Sequence, residues 1–403
     1  MERYHLEWPQ RYLKYGSWLA RNWQNRDFYE REKIIVRETG ERVSAAFRSD
    51  EFYLLSTLYS VYFRNSEDKK SLRYLEALLN SGLTQFYMYN LVFSLSSGAF
   101  IKARTNHYER LPIREIEFTT PEAEREAHVN SLIDAVETAR PTTAPADKGD
   151  GTSAVPTVLN AVDDHLETDR TGVIHDLLAH LAREMTQFKE ERHRYNLDVT
   201  DYVPAPSGSD AGVPLREIGR YQPAPGVQDT LLADTTDERD GLRVGRLVAD
   251  REDDTVHVRA TARFKPQGDR EDWPAAVPGD AEPDQWGYME TEPIDVCTLH
   301  DCTEIEAGLV VHWLQTLNDT DAGFSGYRDN ATKTNSLLDR IYDVRLPDPS
   351  DDGVANALRP FLDNAAAAAE LDAQVVFTDG LIDQIVYRLY GLSEEEVAVV
   401  EEE

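Results

Sequence analysis

The charged residues of this chain are distributed unevenly, and this limits how it can fold. The 403 residues include 74 Asp and Glu against 42 Lys and Arg, a formal net charge of −32. Residues 1–115 hold 18 of the cationic and 14 of the acidic side chains, so this stretch is +4 and the remainder −36. The same stretch holds 21 of the 38 aromatic residues. These coincident shifts predict a domain boundary near residue 118.

The acidity has two interpretations. An acidic surface keeps a protein soluble and repels partners of the same sign. It is also typical of proteins that work in concentrated salt, and the scarcity of Lys, with nine in the chain, favours this halophilic interpretation. Neither interpretation identifies an activity.

Composition excludes several classes of protein. No run approaches the roughly 18 consecutive apolar residues of a membrane span, and residues 1–16 lack the residue order of a signal peptide. The only cysteines, Cys297 and Cys302, exclude a disulfide scaffold and favour a reducing cytoplasm. Although they flank His300, their spacing is not that of zinc ligands. We therefore expect a cytoplasmic protein with no membrane partner and no metal site.

Local patterns predict an α+β fold in four segments. They are a mixed α/β module at 1–118, a helical spacer at 119–203 with a flexible linker at 141–156, an acidic β-containing unit at 204–350 and a helical tail at 351–403.

Hydrophobic periodicity and end signals place the main elements. We predict strands at 33–37, 42–47, 52–63, 242–248 and 256–264, with a turn at Thr39-Gly40 between the first two. We predict helices at 71–89, 121–140, 158–167, 173–195, 309–317 and 381–390, with Pro121 at the first helical position of the second. Thr303 with Glu306 forms a predicted capping box before the helix at 309–317, and Ser393 with Glu396 forms one that begins a tail helix.

Motifs of catalysis are almost absent. The sequence has no Walker-type phosphate loop, no GxGxxG and no serine nucleophile elbow, so no catalytic residue is predicted. Glu67-Asp68-Lys69 contains the Glu-x-Lys fragment of many metal-dependent nucleases, but no Pro-Asp on a strand precedes it. A metal-dependent nuclease is therefore one alternative. A protein-interaction adaptor or a decayed fragment without DNA binding is another.

Five ordered blocks carry a family resemblance. They are RYLKYGSWLA (11–20), EKIIVRETGERVSAAF (32–47), LSTLYSVYF (55–63), YLEALLNSGLTQFYMY (74–89) and GAFIKARTNHYERLPIREIEF (98–118). Together they resemble the TaqI-like C-terminal specificity domain of adenine-N6 DNA methyltransferases, including type IIG restriction–modification enzymes and their phage-defence relatives. The C-terminal residues 386–402 are also similar to the end of such enzymes.

The resemblance implies recognition of a target sequence in double-stranded DNA. Arg and Lys hold phosphates, while Arg, Asn and Gln read base edges. The candidate DNA contacts at predicted strand and loop ends are Arg11, Lys14, Arg37, Arg42, Lys102, Arg104, Asn106 and Arg110.

The sequence departs from the complete enzymes in one respect. It contains no Asn-Pro-Pro-aromatic tetrapeptide, the motif that grips the amine of a flipped base in amino-methyltransferases. We therefore expect no cofactor in this chain and no methyl transfer by the chain alone. A missing domain or a separate catalytic subunit would bind S-adenosylmethionine, and the chain would be a specificity subunit or part of a truncated enzyme.

The halophilic interpretation makes a testable statement about folding. At low salt, 74 carboxylates repel one another with little screening. At about 1 M salt the Debye length falls to about 3 Å and the repulsion is suppressed. Thermal unfolding followed by circular dichroism should therefore give a midpoint that rises steadily between about 0.05 M and 2 M KCl. Equal midpoints at both ends of the titration would contradict the interpretation.

Overall fold

The chain forms two units in a computed structural model, residues 1–195 with 367–403 and residues 196–366. Helices and antiparallel sheets occur together, which confirms the α+β class. The four predicted segments remain a prediction. The structure describes residues 1–6, 27–40, 42–54, 57–63, 71–90, 102–141, 155–206, 211–236, 239, 241–267, 274, 276–278, 281–319 and 326–402.

The first unit begins with a small sheet and continues with helices. Its elements up to residue 195 are α1 (Asp27–Glu30), β1 (Lys33–Arg37), β2 (Ala45–Arg48), β3 (Leu58–Val61), α2 (Leu72–Asn80), α3 (Gly82–Met88), α4 (Thr105–Tyr108), α5 (Glu122–Ala139), α6 (Val155–Glu167) and α7 (Thr171–Arg192).

The sheet has the order β2-β1-β3 with antiparallel pairing on both sides of β1. Ile34 and Val36 pack into one hydrophobic cluster, and Ile35 packs into another on the opposite face. A central strand buried on both faces needs a continuous apolar run. The predicted strand at 33–37 is confirmed, whereas the returning strand begins at Ala45, three residues later than predicted.

The predicted single helix over 71–89 is wrong, because it is divided at Ser81. Ser81 has an extended backbone, with φ −68° and ψ 154°, and its hydroxyl accepts the N–H of Thr84 at 3.4 Å. It also donates to the carbonyl oxygen of Leu78 at 2.8 Å. Ser81 therefore ends α2 and caps α3, and the apolar period alone does not reveal this break.

The outer edge of β2 is hydrogen-bonded by side chains. Alternate backbone N–H groups along this edge donate to side-chain oxygens of α2 and α3. Two of the acceptors, Glu76 and Asn80, lie in α2 and are fully buried. The pairs are Phe47 with Glu76 Oε1 at 2.9 Å, Ala45 with Asn80 Oδ1 at 3.0 Å and Val43 with Gln85 Oε1 at 2.8 Å. We call these three side chains the edge ladder.

Glu76 is the charged member of the edge ladder. Burial raises its pKa to about 7, although Arg73, 2.9 Å from Oε2, opposes the rise. The Arg73 guanidinium also lies over the ring of Phe47 and donates to Thr186 Oγ1 in α7 at 2.6 Å. The ladder is thereby joined to the helices behind it.

Substitution of Glu76 should change the pH dependence of stability. Its pKa is about 7 in the folded state against 4.5 ordinarily. The folded state therefore holds the extra proton, so the stabilisation is present below pH 4.5 and is lost as the pH rises through 7. Glu76→Gln keeps the acceptor for Phe47, so urea unfolding should show a much flatter stability between about pH 5 and 8.

A second buried carboxylate, Asp383, accepts the N–H of Gly82 at 2.7 Å, and burial raises its pKa to about 6. Its contribution to stability declines at lower pH than that of Glu76 and with the same sign, and Glu76→Gln leaves it in place. A wild-type profile that is already flat, or one unchanged by Glu76→Gln, would refute the assignment.

Helices behind the sheet agree with the prediction apart from their ends. Pro121 lies at the N-cap of α5 and not at its first helical position. α6 begins at Val155, inside the predicted linker 141–156, of which 142–154 lie outside the described residues. In α7, buried His175 accepts the backbone N–H of Ser71 through Nε2 at 2.9 Å, so it is an interhelix residue.

The second unit contains the strands that follow β3 in the described part of the chain. Its elements are β4 (Val213–Pro214), β5 (Arg220–Pro223), β6 (Arg243–Glu252), β7 (Thr255–Phe264), β8 (Met289–Glu290), β9 (Ile294–His300), α8 (Glu304–Asp319), α9 (Leu337–Tyr342), β10 (Arg345–Leu346) and the first part of α10 (Asp352–Tyr390).

The main sheet of this unit has the order β5-β9-β7-β6, with β8 paired to β7. The predicted strands at 242–248 and 256–264 are confirmed as β6 and β7, which pair antiparallel. The predicted capping box of Thr303 and Glu306 begins α8. β9 was not predicted. It contains Cys297, and burial raises the pKa of Cys297 to about 12 and that of Cys302 to about 11. Within the described residues, no group of His, Cys, Asp and Glu is placed to hold a metal.

The predicted helix at 381–390 is the last part of the much longer α10. Residues 352–366 of α10 belong to the second unit and 367–390 to the first. Gly391, with φ +71°, follows its end, and α11 (Glu394–Glu401) begins with the predicted capping box of Ser393 and Glu396. None of the helices in the described ranges has the length and apolar character needed to cross a membrane.

Candidate functional site

Two distant parts of the chain meet at the end of β1. Thr39 and Lys102 form an isolated antiparallel bridge, and the N–H of Ala103 donates to the carbonyl oxygen of Glu38 at 2.8 Å. Ala103 and Val43 are buried in the same hydrophobic cluster. The six described candidate residues therefore belong to segments that border one small cluster: Arg37, Arg42, Lys102, Arg104, Asn106 and Arg110.

Arg37 is folded back against the protein. Its guanidinium lies over the turn, where a Cβ on Gly40 would come within 2.1 Å of Nη2. Its Nη1 reaches the carbonyl oxygen of Met1 at 3.4 Å. A side chain at position 40 would therefore have to displace the flexible end of Arg37. Arg37 is half-buried and stabilises the turn.

Lys102 is exposed, but its charge is balanced. Its Nζ lies 3.3 Å from Oε1 of Glu38, which also accepts the Tyr59 hydroxyl at 2.7 Å. The hydrogen bond from Tyr59, followed by the contact with Lys102, lowers the pKa of Glu38. Sequence reasoning missed Glu38 and Tyr59, and only the adjacency of Glu38 to the predicted Thr39-Gly40 turn pointed to either.

Four candidates are directed to solvent. Arg42, Arg104, Asn106 and Arg110 are all exposed, and none forms an ion pair with another described residue. Arg104 and Asn106 lie at the start of α4. The N–H of Arg104 donates to Nδ1 of His107 at 3.1 Å, which fixes the helix start. An arginine-rich surface of this kind can bind phosphates and base edges.

Arg11 and Lys14, the remaining candidates, lie outside the described residues, as do the proposed nuclease residues Glu67 and Asp68.

Lys33 is a structural residue, although it too is basic and close to the site in sequence. It is fully buried, and its Nζ donates to the carbonyl oxygens of Tyr29, Arg31 and Asp50 at 2.7, 2.9 and 3.0 Å. Burial lowers its pKa. Its ammonium group connects α1, β1 and the segment after β2.

Residues 1–113 match the family model of the TaqI-like C-terminal specificity domain. The match confirms the resemblance drawn from the sequence blocks, and it covers the sheet, the edge ladder and every candidate contact. It indicates DNA target recognition in methyltransferase systems. Comparison with curated proteins gave no match, and comparison with solved structures gave none.

Exposed and buried cations should respond differently to truncation. Arg42→Ala and Arg104→Ala should change the free energy of unfolding by no more than about 0.5 kcal/mol, as is usual for surface positions. Lys33→Ala leaves three carbonyl oxygens without their donor and should cost about 3 kcal/mol or more. Urea unfolding measures all three variants. A large loss of stability in Arg42→Ala or Arg104→Ala would make those residues structural and remove them from the site.

Proposed function

We propose that this chain reads the DNA target sequence for an adenine-N6 DNA methyltransferase of a restriction–modification or phage-defence system. The observation that supports it most is the exposed group Arg42, Arg104, Asn106 and Arg110 inside the stretch matched by the specificity-domain model. Duplex DNA is the partner whose charge and base edges such a group suits.

The four exposed residues have different tasks in this proposal. Arginines that contact guanine O6 and N7 specify a base, while those that contact phosphate only position the protein. Asn106 suits adenine, because an amide pairs with N6 and N7 in the major groove. Arg37 and Lys102 support the turn beside them through Met1 and Glu38.

Methyl transfer is assigned to a catalytic domain or partner subunit that binds S-adenosylmethionine. The candidate contacts hold DNA, and no methyl-transfer step is assigned to them. The cytoplasm, where such systems meet DNA, is the proposed location.

Selection from a random duplex library with the full chain tests the proposal. We expect one enriched sequence motif. A base-reading arginine changed to Ala should lose about 1–3 kcal/mol of binding and relax one position of the motif, whereas a phosphate contact should weaken all sequences alike. The variants are Arg42→Ala, Arg104→Ala and Arg110→Ala.

The matched control is Arg194→Ala, an exposed arginine outside the stretch matched by the family model. It should bind the selected duplex as the wild type does. If no motif is enriched, or if Arg194→Ala weakens binding as much as the three site variants, the proposed function is wrong.

A further inference from the structure

Three cations surround one tyrosine ring in the acidic second unit. Arg243 lies 4.8 Å, Arg263 5.0 Å and Lys265 5.1 Å from the centroid of the Tyr288 ring. Arg243 and Arg263 are direct partners in the β6–β7 register. Like charges placed opposite each other across strands are destabilising unless something compensates them.

Compensation within the described residues is incomplete. Arg263 pairs with Asp284. Glu290 of β8 lies opposite Arg263 in the strand register, but it forms its ion pair with Arg246 of β6. Arg243 and Lys265 have no carboxylate partner in the described part of the chain. An excess of positive charge therefore remains here, in the part of the sequence where acidic residues dominate.

An exposed tryptophan belongs to the same turn as Tyr288. Trp286 is 66 % exposed, the second most exposed of the large hydrophobic side chains identified in the structure. Its loop is ordered by Asp284, whose Oδ1 accepts the N–H groups of Trp286 and Tyr288, both at 2.9 Å. Gly287 between them has φ +77°, a conformation that glycine adopts readily. The turn thus leaves the indole exposed to solvent two residues before Tyr288, the residue whose ring the three cations surround.

We propose that Arg243, Arg263, Lys265, Trp286 and Tyr288, here called the tryptophan patch, bind an unpaired stretch of DNA. Arg243 and Lys265 contact the phosphates, and the indole of Trp286 stacks on a base. The inference rests on the proposed function, because DNA is the partner in both. The tryptophan patch, however, lies outside residues 1–113, the stretch that the family model matches.

The chemistry favours nucleic acid over an acidic peptide. Phosphates and carboxylates both neutralise Arg243 and Lys265. A flat aromatic group held in water beside cations is the arrangement with which proteins bind single-stranded nucleic acid, because every base offers a face for stacking. A carboxylate peptide makes no use of the exposed Trp286.

Fluorescence anisotropy with the full chain and a labelled single-stranded oligonucleotide of about 20 thymidines tests the patch. Trp286→Ala should weaken binding about tenfold, within the range measured for lost base–aromatic stacking. Lys265→Gln should weaken it several-fold and reduce the salt dependence. The control is Arg251→Gln, an exposed arginine at the turn end of the same β6–β7 hairpin. It should bind as the wild type does.

Two results would overturn the inference. One is unchanged single-strand binding in both Trp286→Ala and Lys265→Gln, with circular dichroism showing folded protein. The other is competition by poly-glutamate as effective as that by an oligonucleotide of equal charge, which would identify an acidic partner. If duplex selection fails while the patch variants lose single-strand binding, only the proposed target recognition is lost. If selection succeeds and the patch variants are silent, only this inference is lost.

Discussion

The edge ladder determines how the first unit is assembled. A sheet edge buried against helices must find partners for its backbone N–H groups, and here side chains supply them. Two strand residues advance by about 6.8 Å and four helical residues by about 6.0 Å, so the two spacings drift apart. The ladder steps four residues from Glu76 to Asn80 and five from Asn80 to Gln85, and the break at Ser81 falls within the longer step.

Elements with strong local patterns could be predicted from the sequence. The apolar run Ile34-Ile35-Val36 indicates a buried strand. The capping boxes that begin at Thr303 and Ser393 indicate helix starts. Two features were not visible. The division at Ser81 depends on the sheet that α2 and α3 cover. Within the predicted helical tail at 351–403, the start of α10 could not be placed, because its alanine run, residues 365–369, has no polar and apolar faces to compare.

The sequence could nominate candidate site residues, but it could not assign them different roles. The candidates are basic residues near predicted turns, and the described ones lie around one hydrophobic cluster. Their roles depend on contacts between residues some 60 apart in sequence, such as Glu38 with Lys102. No local pattern contains that pairing. The tryptophan patch escaped prediction for the same reason, because its side chains come from β6, from the end of β7 and from the turn before β8.

Lys33 is a buried lysine in a chain whose cations are mostly arginines. The chain has nine lysines and 33 arginines, so arginine has become its usual cation. An ammonium group directs three donors at the three carbonyl oxygens around Lys33, whereas a guanidinium is planar and larger and cannot converge on them. Exchange of lysine for arginine is therefore closed at this position, so the general preference of this chain for arginine stops at a buried site whose geometry suits only an ammonium group.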